Sequence, residues 1–97
     1  MGEMIYRGEQ RWRLYARRIA WGALSTAIHD TERQECQRIV AFAKQHGILT
    51  PAQQIYIDRL VKHYRPPELE WQELPRNRFT KLAGEDILKA EKLVRPS

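Results

Sequence analysis

Gly47 and Thr50-Pro51 stand three residues apart near the middle of the chain, a helix stop followed at once by a helix start. Glycine takes the left-handed conformation that ends a helix. Thr50 can cap the next helix, Pro51 sits in a first turn where its missing N–H does no harm, and Gln53 can reach back. Apolar residues recur at helical spacing on both sides. Cys36, Ile39, Val40, Phe42, Ala43 and His46 form one arc before the break; Tyr56, Ile57, Leu60, Val61 and Tyr64 form another after it. So short a connection makes the two helices neighbours, with Ile48 and Leu49 plugging their open end. Asp30 or Thr31 starts the first of them, Thr31 and Gln34 having capping-box spacing, and Pro66-Pro67 ends the second.

A longer helix precedes this pair, from about Glu9 to Ile28. Trp12, Tyr15, Ala16, Ile19, Ala20, Ala23 and Ala27 share one face. Arg7, Arg11 and Arg18 lie opposite, on a strip that continues through Gly22 and Ser25. Arg13 and Arg17 border a third sector with Trp21, Leu24 and Ile28. Gly22 implies either a neighbour packed against the backbone or a kink. Met4–Tyr6 reads as a short extended arm. After the pair, residues 66–79 read as an irregular arm anchored by Trp71, and a short helix runs from about Gly84 to Val94. The expectation is an all-α helical bundle, with a long N-terminal helix packed on a two-helix hairpin, plus the arm and a short C-terminal helix. Residues 1–65 form the core domain; 66–97 belong to it or are partly mobile.

The net charge of +5 is unevenly distributed. Residues 1–29 carry five arginines against two acids, a net of +3; residues 30–65 carry six basic residues against four acids, a net of +2; the remainder is balanced. Lysine first appears at Lys44. Arginines interleaved with Trp12, Tyr15 and Trp21 suit phosphate contact and base stacking, or an acidic protein surface. The candidate binding residues are Arg7, Arg11, Arg13, Arg17, Arg18 and Trp21, with Arg38 and Lys44 extending the patch. A solvated face pairing with the acids of residues 66–91 is the plainer alternative.

Other chemistries find little footing. His29, His46 and His63 are scattered, and the single cysteine, Cys36, falls in a core arc, so no metal, cofactor or nucleophile site is expected. His46 reads as partly buried and His63 as solvent-facing. The lone cysteine fits a reducing compartment, no stretch is apolar enough for a membrane span, and Met1–Tyr6 has no signal pattern, so a cytoplasmic protein is expected. Ala43 and Gly47 stand four apart, as in helix-turn-helix units, which would offer Ala52, Gln53 and Gln54 to a major groove. Against this, Gln53 stands where a recognition helix usually tucks in an aliphatic residue.

The stretch from Glu32-Arg33 through Gly47-Ile48-Leu49-Thr50-Pro51-Ala52-Gln53-Gln54 to Leu60 resembles a helical hairpin of small phage-encoded proteins, whose turn reads Leu-Thr/Ser-Pro-x-Gln. The resemblance covers about a third of the chain, residues 32–64. It implies a mobile-element origin and proximity to DNA metabolism or host defence, and carries no catalytic residues. Three non-enzymatic readings follow. One is an accessory protein binding nucleic acid or a nucleoprotein complex. The second is an anti-CRISPR-like inhibitor whose arginines engage an acidic host protein. The third is a homodimeric module using Trp21, Ile55 and Trp71.

Overall fold

The computed structural model describes residues 3–66, 80–82 and 84–94, with side chains in the first helix from residue 13 onward. The elements are α1 (Glu3–Leu24), α2 (Asp30–His46), β1 (Ile48–Leu49), α3 (Pro51–Tyr64), β2 (Thr80–Lys81) and α4 (Gly84–Val94). The expected small all-α bundle forms, with one addition. β1 pairs antiparallel with β2, Ile48 opposite Lys81 and Leu49 opposite Thr80, and Leu82 N–H donates to the Gly47 carbonyl at 2.7 Å. Two-residue strands carry no readable alternation, so the sequence has no sign of this pairing. The expected arm beyond Pro66, with Trp71, lies outside the described residues.

α1 is the axis of the bundle. It packs most extensively against α2 and α4 and also touches α3. From Tyr15 to Ala23 every residue except half-buried Arg17 is buried. α2 runs back along α1: Gln37 Nε2 donates to the Ala23 carbonyl at 3.3 Å, and Arg33 Nη1 to the Ser25 carbonyl at 3.2 Å. Those two bonds occupy carbonyls that a helix end otherwise leaves unpaired. α1 stops at Leu24, short of the expected Ile28, and Ala27, expected on the apolar face, is exposed. Its start is earlier than expected, and Met4–Tyr6 is helical instead of an extended arm.

Gly22 has the packed neighbour its position implied. A Cβ there would overlap Cys36 Sγ on α2 and lie 3.2 Å from Leu60 Cδ2 on α3. The missing side chain lets three helices meet at one level.

The helix ends follow local chemistry, with one correction. Gly47 has φ 72° and donates to the Ala43 carbonyl at 2.7 Å, closing α2. At α3, Gln53 N–H donates to Thr50 Oγ1 at 3.2 Å and Thr50 N–H to Gln53 Oε1 at 2.9 Å, a complete capping box. At α2 the cap is His29 in place of Asp30 or Thr31: Glu32 reaches back to accept from His29 N–H at 3.3 Å. Asp30 is already inside the helix, ion-paired with Arg33. α3 ends at Tyr64, with Arg65 left-handed at φ 45° ahead of Pro66.

α2 and α3 approach each other less closely than an antiparallel hairpin suggests, because α1 supplies most of their shared packing. An open groove of about 390 Å³ runs between them, lined by residues including Glu32, Glu35, Ile39, Gln53 and Tyr56. The Tyr64 hydroxyl donates to Glu32 near one end of the pair. α4 buries Ile87 and Ala90, while Lys44 of α2 reaches Glu91 at 3.5 Å.

Candidate nucleic-acid interface

The arginine cluster of α1 does not form one exposed patch. Arg18, expected on the outward strip, is 1% exposed. Its Nη1 donates to Asp58 Oδ1 at 2.6 Å, and the Tyr15 hydroxyl donates to Asp58 Oδ2 at 3.0 Å. The Arg18 guanidinium carbon lies 5.6 Å from the centre of the Tyr15 ring. Burial lowers the Arg18 pKa, while the charges of Asp58 and Tyr15 and the hydrogen bond to Asp58 oppose that shift. Arginine nonetheless stays charged in proteins. Helical spacing misplaces Arg18 because it assumes a single buried face, whereas α1 is enclosed on the sides facing both α2 and α3.

Trp21 is corrected for the same reason. It is buried, with its ring centre 6.2 Å from that of Tyr64. The sector expected to be an external contact surface is instead where α1 meets α3. Arg17 is half-buried, and its Nε is enclosed without a hydrogen-bond partner. Arg13 is exposed. Arg7 and Arg11 lie on α1 ahead of the described side chains, as does Trp12.

Arg38 and Lys44 are exposed on α2, paired with Glu35 at 3.3 Å and Glu91 at 3.5 Å. Surface pairs of this kind contribute at most about 1 kcal/mol and yield readily to a stronger anion. The two residues stand roughly 120° apart around the helix, so they do not share a stripe.

A different basic surface emerges on α3. Ala52, Ile55, Arg59, Lys62 and His63 are all exposed and fall within a sector of roughly 100°. Arg65, also exposed, follows at the helix end, where its Nε donates to the Lys62 carbonyl at 3.3 Å. The only acid in α3 is Asp58, which is turned inward to Arg18. The outer face of α3 therefore carries positive charge and no carboxylate. In the sequence this is hidden, because Asp58 sits directly beside Arg59 and neutralises it in any count by segment.

The helix-turn-helix alternative, already disfavoured by Gln53, gains nothing from side-chain placement. Gln54 is fully buried, with Nε2 3.4 Å from the Leu49 carbonyl, and Gln53 is occupied by the capping box. Neither glutamine is presented for base reading.

Comparison with protein-family models, curated proteins and solved structures gives no match to this chain.

Cys36 is fully buried, and its thiol is pushed up to about 12, by burial first and then by Glu32 and Glu35. A thiol held protonated is a core group and a poor nucleophile. His46, expected partly buried, is exposed, its ring tilted against the half-buried Phe42 ring with centres 4.4 Å apart. His63 is exposed, as expected. Among the described residues, no group of three His, Cys, Asp or Glu could hold a metal ion, and no helix is long and apolar enough to cross a membrane.

Proposed function

We propose that this chain is a non-catalytic accessory protein of a phage or mobile element that binds nucleic acid or a nucleoprotein complex. The observation that carries the reading is charge segregation. On α3 the single acid, Asp58, is turned inward to Arg18, while Arg59, Lys62 and, just beyond the helix, Arg65 are exposed. A net-positive protein with such a surface attracts polyanions over a distance comparable with the Debye length. The phage origin rests on the Leu49-Thr50-Pro51-Ala52-Gln53 hairpin resemblance.

An electrophoretic titration with a mixed-sequence duplex DNA at 50 and 200 mM salt tests this. The reading expects a shift that weakens as salt rises; no shift at the lower salt overturns it.

One observation favours a second reading, a protein-directed inhibitor of a host defence or nucleic-acid-processing complex. Ile55 is 37% exposed in the middle of the basic α3 face, where it would suit an acidic protein surface with an apolar centre. Recovery of a stoichiometric partner from nuclease-treated lysate would support it. The homodimer reading loses Trp21, which is buried, and keeps Ile55.

A further inference from the structure

We infer that the outer face of α3 is a phosphate-contacting surface, and that its ligand is the backbone of duplex DNA. The inference rests on the nucleic-acid reading above and names the surface and the form of the polymer.

Three observations converge on it. The first is the pairing of Asp58 with Arg18, which removes one positive charge from α1 and the sole negative charge from α3. The exposed sector of α3 is left with Arg59 and Lys62, continued by Arg65. The second is ordering. Arg65 is left-handed where it closes α3, its N–H bonded to the Val61 carbonyl and its Nε to the Lys62 carbonyl, so its guanidinium is held beside Lys62 at the helix end. A cation whose position is already fixed loses less freedom on meeting a phosphate.

The third is what the face lacks. Its one exposed ring, His63, stands edge-on to Tyr64 with ring centres 4.9 Å apart, and the face has no exposed Trp, Tyr or Phe to extend it into the row of platforms that single-strand binding uses. The tyrosine rings of α3 turn elsewhere: Tyr56 lines the groove toward α2, and Tyr64 packs on Trp21 and bonds Glu32. The two glutamines at the start of α3 are likewise withheld from base reading, being engaged within the fold. Backbone contact with a duplex is the chemistry that an exposed basic face of this kind serves best. The groove carrying Glu32 and Glu35 borders this face on the α2 side and repels phosphates there, which limits the footprint to α3.

The test compares the intact chain with Arg59→Gln/Lys62→Gln/Arg65→Gln, with the single variants Arg59→Gln and Lys62→Gln, and with a control, Arg13→Gln/Arg38→Gln. All these side chains are exposed, and circular dichroism with thermal melting checks each fold. Each phosphate that is no longer neutralised should lower the slope of log affinity against log salt by roughly 0.9, so the triple variant should drop by about 2.7. Between 50 and 200 mM salt, its affinity should therefore change about forty-fold less than that of the intact chain. The control should drop by less than the triple variant.

An intact chain that binds while the triple variant keeps its slope overturns the α3 assignment and leaves the nucleic-acid reading standing. Tighter binding to a single strand of the same sequence overturns the duplex assignment. An intact chain that binds neither form overturns both.

Discussion

Arg18 Nη1 lies 2.6 Å from Asp58 Oδ1, joining α1 to α3 through an ion pair almost wholly withdrawn from water, with Asp58 5% exposed. Tyr15, one helical turn earlier, donates to the second oxygen of the same carboxylate. Removing one partner of a buried pair leaves the other charge stranded, which typically costs about 3–5 kcal/mol. Asp58→Ala should lower stability by that order in urea unfolding. The double variant Arg18→Met/Asp58→Leu should lose much less than the sum of its single changes, since no uncompensated charge remains.

Gly22→Ala would improve helix propensity by about 1 kcal/mol in isolation. Here the added methyl meets Cys36 Sγ, and overpacking of this kind costs about 1–3 kcal/mol. A net loss of stability is expected. Combining it with Cys36→Ala should recover part of that loss, which a double-mutant cycle by chemical denaturation would detect as non-additivity.

Thr50→Ala removes the hydroxyl that accepts from Gln53 N–H and should cost about 1 kcal/mol. Thr31→Ala should be nearly silent, because the α2 cap is formed by His29 and Glu32. Paired thermal melts of the two variants distinguish these positions, which look alike in the sequence.

Burial raises the Cys36 thiol from its ordinary 9.0 to about 12, and the Tyr56 hydroxyl from 10.0 to about 12. Both folded-state values exceed the unfolded ones. The folded chain thus holds protons that the unfolded chain releases above about pH 9, and stability must fall as pH rises from there through about 12. Urea midpoints measured from pH 8 to 11 should decline, less steeply in Cys36→Ala. The native thiol should resist a disulfide reagent at pH 8 and react on unfolding.

Helix existence was legible because it rests on local signals. Thr50-Pro51-Ala52-Gln53 and Gly47 behave as their chemistry dictates, and the inward arcs of α2 and α3 largely match the spacing. What escaped the sequence is the number of sides from which a helix is covered. Helical spacing assigns Arg18 to the outside because it lies opposite the apolar face, yet α1 is surrounded, and the outcome depends on Asp58, 40 residues away. The same pairing decides which helix presents cations outward. Burial of the charged Arg18 and Asp58, and of neutral Gln54, is set by tertiary partners that periodicity does not encode.

The central place of α1 also governs the order in which the protein can be finished. α4 covers a large part of α1, yet it begins about sixty residues after α1 ends. At roughly 5–20 residues per second of synthesis, α1 spends several seconds with that flank uncovered. During this interval Tyr15, Ile19 and Trp21 belong to an incomplete structure, vulnerable to proteases and chaperones, so how fast the ribosome travels between the two helices bears on how much folded protein a cell obtains.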